Sequence, residues 1–143
     1  MAGLKLDDAF PRVIDSKTHS VIDWVHSAAN FAAAAVFAAR GNKKAAAGAA
    51  MLGANVLFNT LMTDYEYGVF RVWNFKVHGI LDYSVAATSA ALPALMGFTD
   101  TPEANFFYAQ GAVETLTAGI TDYDDDSGAE NPERLGKALE DVA

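Results

Sequence analysis

Thr63-Asp64-Tyr65-Glu66-Tyr67-Gly68 decides how this chain of 143 residues is built, because Thr121-Asp122-Tyr123-Asp124 repeats its opening near the other end. A second signature precedes each copy: His19-Ser20-Val21-Ile22-Asp23-Trp24 and His78-Gly79-Ile80-Leu81-Asp82-Tyr83. His19 and Thr63 are 44 positions apart, and His78 and Thr121 are 43 apart. A His-x-x-x-Asp-aromatic opening and a Thr-Asp-Tyr-acid ending held at near-constant spacing mark a tandem duplication, with repeat one over 19–67 and repeat two over 78–123.

Between these signatures lie apolar segments of helical length. His19 to Ala39 is rich in Ala, Val and Phe, and at 1.5 Å per residue it spans roughly 30 Å, the thickness of a hydrocarbon core. Its polar residues His19, Asp23, His26 and Asn30 follow one another at steps of four, three and four, which places them on one helical stripe facing a bundle interior or a headgroup region. Ser16 or Thr18 is the expected N-cap, and Arg40-Gly41-Asn42-Lys43-Lys44 a tight connector with a glycine at the helix end. Ala45 to Met62 carries no charge, has small residues such as Gly48 and Gly53 for close helix approach, and shows Asn55 and Asn59 on one stripe. Thr63 to Val77 mixes Tyr65, Tyr67, Phe70, Trp73 and Phe75 with Arg71 and Lys76, as an interfacial segment does. His78 to Phe98 and Ala104 to Ile120 repeat the pattern, with Pro93 expected to kink or end the third helix.

These segments predict an all-α fold, a transmembrane four-helix up-down-up-down bundle made of two helix hairpins over 18–123, preceded by a polar lead-in at 1–17 and followed by an acidic tail at 124–143. The lead-in has acids and no apolar core, so it does not read as a secretory signal and insertion is expected from the internal segments. The competing fold is a soluble bundle, which the only slightly positive mean hydropathy suits. A soluble bundle should carry a charged outer face, and none of the four segments does. Because the repeats keep one orientation, all of their signatures should converge at one bundle end.

Composition narrows function. A net charge of −8 argues against nucleic acid, which needs clustered Lys and Arg. The absence of cysteine removes disulfides, thiolate metal sites, covalent haem attachment and cysteine nucleophiles. No nucleophile elbow accompanies the histidines, so an enzyme is the less favoured reading.

The whole pattern, His-x-x-x-Asp-aromatic, Thr-Asp-Tyr-Glu-x-Gly, His-x-x-x-Asp and Pro93-x-x-x-Gly97-Phe98, resembles small bacterial four-helix integral membrane proteins related to the SPW-repeat family, over about 19–122. Leu92-Pro93-Ala94 stands where that group has Ser-Pro-Trp, and Phe75-Lys76-Val77 precedes His78 where a Pro-Met pair is common. The resemblance implies a multi-pass protein of the bacterial inner membrane and carries no assigned activity. Arg12, Lys17, Arg71 and Lys76 against Arg40, Lys43 and Lys44 lean the termini to the cytoplasmic side. Expected partners are the bilayer and either further copies of the chain or other subunits of a membrane complex.

Three readings of the polar cluster stand side by side. In the first, the protein is structural or accessory: each His bonds the Asp four residues on, while Asp64 and Asp122 brace helix ends, with His19, His78 and Arg71 as the nearest donors. In the second, His19, Asp23, Asp64, His78, Asp82 and Asp122 bind a divalent metal, iron, manganese or zinc. In the third, His19 and His78 ligate a haem b from opposite sides, with His26 in reserve. Trp24, Tyr83, Tyr65 and Tyr123 read as interface anchors. His26, Glu66, Arg71 and Glu114 form a further candidate polar set, and Glu114 stands out as a mid-helix carboxylate whose expected partner is Asn55 or Asn59.

Overall fold

The computed structural model of this chain describes residues 10–129. Expectations for the first part of the lead-in and most of the acidic tail fall outside the described residues. Four helices make up the rest, α1 (Ser16–Ala39), α2 (Lys43–Met62), α3 (Phe75–Met96) and α4 (Ala104–Gly119), and there is no strand among the described residues.

The helix starts show why the duplication is deeper than its signatures. Asp15 caps α1 by accepting the Thr18 N–H, so the cap is neither Ser16 nor Thr18. Asn74 caps α3 in the same way through Val77 N–H, so α3 begins at Phe75 rather than at His78. Each cap follows a residue whose carbonyl is taken by a Thr-Asp-Tyr segment: Asp64 N–H donates to Trp73 O and Asp122 N–H to Ile14 O, both at 2.8 Å. The chain just before α1 is thereby tied to the chain just after α4, as the chain before α3 is tied to the exit of α2. At the other end, Asn42 caps α2 and also reaches Glu103 Oε2 at 3.0 Å, joining the two remaining connectors.

α1 packs on α2, α2 on α3 and α3 on α4. Glycines set the closest approaches. A Cβ on Gly53 would lie 3.1 Å from Asn30 Cβ on α1, and one on Gly111 would lie 2.9 Å from the Ala86 carbonyl on α3. Gly53 and Gly111 stand ten residues before Thr63 and Thr121, so one packing device is used twice. Phe37, Ala45, Ala49, Leu52, Val85, Leu92, Phe98 and Phe107 fill the apolar core.

Pro93 neither ends nor breaks α3; the helix runs on to Met96 and closes at Gly97, whose φ of 68° is the left-handed C-terminal conformation. In the last turn a proline still forfeits its own backbone hydrogen bond, but only three helical residues follow Pro93, so little helix is left for a kink to displace. Of the asparagine stripe on α2, Asn59 is buried and Asn55 is exposed.

The outward faces are apolar. Val25, Met51, Ile80, Leu95 and Val113 are 58–76% exposed, large side chains that water would not favour. α1, α2 and α3 are each long and apolar enough to cross a membrane.

Candidate metal centre

His19 and Asp23 lie one turn apart on α1, and His78 and Asp82 one turn apart on α3; all four are at least 97% buried. Nε2 of His19 is 3.3 Å from Asp23 Oδ1 and 3.1 Å from Asp82 Oδ2. Nε2 of His78 is 3.1 Å from Asp23 Oδ2 and 3.0 Å from Asp82 Oδ1. The two Nε2 atoms are 3.2 Å apart. Each carboxylate therefore offers one oxygen to each imidazole, and the four side chains close a ring in which one ligand atom from each lies within 4.8 Å of every other.

The surrounding hydroxyls fix the imidazole tautomers. Thr63 Oγ1 donates to Asn59 O at 2.6 Å, and Thr121 Oγ1 donates to Thr117 O at 2.7 Å. A hydroxyl has one hydrogen, so each threonine oxygen can only accept from the imidazole beside it. Nδ1 of His78, 2.7 Å from Thr63 Oγ1, and Nδ1 of His19, 2.9 Å from Thr121 Oγ1, must carry protons. In the neutral imidazoles both Nε2 lone pairs then point into a ring of carboxylate oxygens. That arrangement is repulsive unless a positive charge sits among them. Two carboxylates and one divalent cation sum to zero, as a site this deeply buried requires. A cation about 2.0–2.1 Å from tetrahedral ligands holds them about 3.3 Å apart.

The carboxylates are steadied from outside the ring. Tyr65 O–H donates to Asp23 Oδ2 and Tyr123 O–H to Asp82 Oδ2, each at 2.7 Å. Burial, together with the nearby Asp23 charge for Tyr65 and the Asp82 charge for Tyr123, pushes both phenols well above their ordinary range, so they stay neutral donors. Asn59 Nδ2 donates to Asp82 Oδ1 at 3.3 Å, and Trp73 Nε1 holds Asn59 Oδ1 at 3.1 Å. Phe75 packs against the ring, its centroid 5.2 Å from that of His19 in an edge-to-face contact and 4.9 Å from that of Tyr123 in a tilted one. Partners of this kind are what orient metal ligands.

Asp64 and Asp122 are not in the ring. Asp64 is buried and its Oδ1 takes the Arg71 guanidinium at 2.9 Å, while partly exposed Asp122 lies 3.5 Å from Arg12. The Asp64–Arg71 pair is the expected brace, and both acids also brace through their backbone N–H groups, while the imidazoles expected as partners face the ring instead. Arg71 adopts φ 50° and also donates to Glu66 O and Gly128 O. Glu66 accepts the Ser16 hydroxyl at 3.0 Å. Gly68 ends this turn because a Cβ there would overlap the Thr63 carbonyl oxygen. Tyr65 and Tyr123 are ring partners rather than interface anchors; Trp24 and Tyr83 do reach the surface. Glu114 pairs with His26, Oε2 to Nδ1 at 3.0 Å, and not with Asn55 or Asn59. A haem between His19 and His78 does not fit, since the imidazoles are too close and the two carboxylates fill the space a porphyrin plane would need.

Sequence reasoning passed over Thr63, Thr121, Tyr65 and Tyr123 as functional groups. The signal was present: all four recur with the repeat, at the same spacing from its histidine to within one residue. Comparison with protein families, with curated proteins and with solved structures finds no match to this chain.

Proposed function

We propose that this is an integral membrane protein, an up-down-up-down bundle of two helix hairpins, that holds one divalent metal ion between His19, Asp23, His78 and Asp82. The observation that carries the metal is the geometry: Thr63 and Thr121 commit each Nδ1 to donation, so both Nε2 atoms face the two carboxylates and, with the rings neutral, offer their lone pairs to a cation. Two imidazoles and two carboxylates, with no cysteine, suit zinc, manganese or ferrous iron. The four side chains are at least 97% buried beneath Phe75, Tyr65 and Tyr123, which keeps a substrate away from them. This favours a structural metal that locks the two repeats together over a catalytic one. Residence in a bacterial inner membrane, with both termini cytoplasmic, and kinship with SPW-repeat-related proteins follow from the sequence pattern. The apolar outer faces support membrane residence.

Elemental analysis of the protein purified in detergent tests the metal. Close to one equivalent of zinc, manganese or iron per chain is expected, with His78→Ala falling to background. A wild-type protein that neither contains nor takes up metal, and whose nitrogen NMR spectrum shows two imidazolium rings, would replace the metal with a proton-held ion-pair ring.

A further inference from the structure

The pseudo-symmetry fails on the side where α1 faces α4. Seven residues after His78 comes Val85, and seven before Thr63 comes Val56; both are buried in the apolar core. The corresponding positions of the other repeat are His26 and Glu114. Eleven residues before Thr63 is buried Leu52, and eleven before Thr121 is Gln110. Three core hydrocarbons facing the α2/α3 contact are thus replaced, on the α1/α4 side, by an imidazole, a carboxylate and an amide. On that side the helices do not close. A cleft of about 430 Å³ runs between α1 and α4, walled by Val21, Val25, Phe106 and Val113, with His26, Gln110 and Glu114 among its lining.

Its polar groups are incompletely satisfied. Among the described residues three buried side-chain atoms have no hydrogen-bond partner, and two of them, His26 Nε2 and Gln110 Nε2, belong to this cleft. Gln110 is 9% exposed. Buried polar atoms without a partner are costly and call for a missing one. Glu114 occupies Nδ1 of His26, which leaves Nε2 for that partner. A hydroxyl both donates and accepts, so it can serve His26 Nε2 and the Gln110 amide together. The carboxylate of Glu114 at the same place disfavours an anionic head, and the apolar walls disfavour a polar body.

We propose that the α1/α4 cleft is a lateral site for one uncharged, hydroxyl-headed lipid, its hydrocarbon chain between the valines and its hydroxyl on His26 and Gln110. This rests on the membrane reading above but not on the metal. Prenylated quinols and glycerides share that chemistry.

The probe is radiolabelled 1-dodecanol, added to full-length protein in nanodiscs, with dodecane and dodecanoate as competitors. Saturable binding of one dodecanol per chain is expected, displaced by neither competitor. Gln110→Leu, which copies Leu52 of the other repeat, should bind about tenfold more weakly. Val113→Trp, on an exposed wall position, should abolish binding. Both variants should retain the parent metal content, which separates failure of this site from failure of the metal centre. Solvent extraction of the purified protein then identifies a quinol or a glyceride as the resident, and either result supports the site. The site is overturned if no saturable dodecanol binding is seen, if Val113→Trp binds like the parent, or if Val113→Cys chains cross-link to one another in membranes, which would make the occupant a second copy of this chain.

Discussion

A threonine that has spent its proton on a carbonyl becomes an obligate acceptor, and at Thr63 and Thr121 this decides what the histidines can do. Thr63→Val and Thr121→Val keep shape and remove the acceptor, freeing each imidazole to choose the other tautomer. Metal affinity should fall about 10- to 100-fold per substitution, as for other partners that orient ligands, with helicity unchanged by circular dichroism. Competition with a metal-sensitive dye reads this directly; unchanged affinity would mean the tautomer is irrelevant. Asp64 and Asp122 part company at this scale although sequence treats them alike. Buried Asp64 holds the Arg71 guanidinium, so Asp64→Ala removes a buried charge-assisted hydrogen bond and should cost about 1–3 kcal/mol in a thermal melt. Asp122 is partly exposed beside Arg12, and Asp122→Ala should cost about 0.5 kcal/mol or less. Equal losses would show that both acids act in the same buried network.

Helix pairs here depend on an absent side chain. Gly111 lets α4 approach the Ala86 carbonyl of α3, where even a methyl group would sit at 2.9 Å. Gly111→Val should therefore separate the pair and lower stability by about 1–3 kcal/mol, the usual cost of overpacking. Gly119, with nothing within 4 Å of an added Cβ, is the internal control. Gly119→Ala should melt like the parent, and if Gly111→Val does so too, α3 and α4 are less tightly apposed than described. The helix starts carry the same lesson. Asp15 and Asn74 are different residues filling one role, which a search for identical letters passes over.

Over the whole molecule the two ends of the described chain are joined, Ser16 N–H to Asp125 Oδ2 at 2.8 Å and Arg12 to Asp124 at 2.9 Å. Donation from the Ser16 amide holds the Asp125 carboxyl at about 2, and Lys76 and Arg12 hold that of Asp124 below its usual value. Both folded values are depressed, so this contribution is fully present above the ordinary carboxylate value of about 4 and is lost as pH falls toward 2. Protection of the Asp122 amide, which donates to Ile14, measured against its intrinsic exchange rate at each pH, should fall across that window. Asp125→Asn should exchange faster even at pH 6 and respond less to acid. A protection factor indifferent to pH in the parent would show that these acids do not close the chain.

The sequence by itself determined the duplication, the helical content and the pairing of each histidine with the aspartate four residues on, because these depend on spacing within a single helix. It also marked the apolar outer faces, which require only composition. Tertiary structure alone decided which groups meet across helices. Thr63 serves His78 and Thr121 serves His19, each threonine reaching into the other repeat. Asp64 and Asp122 turn away from the ring, Tyr65 and Tyr123 turn into it, and His26 finds Glu114. Periodicity fixes the face on which a side chain stands, but its partner depends on the register and rotation of a neighbouring helix. Close approaches such as those at Gly53 and Gly111 help set these, and no spacing along one strand of sequence encodes them.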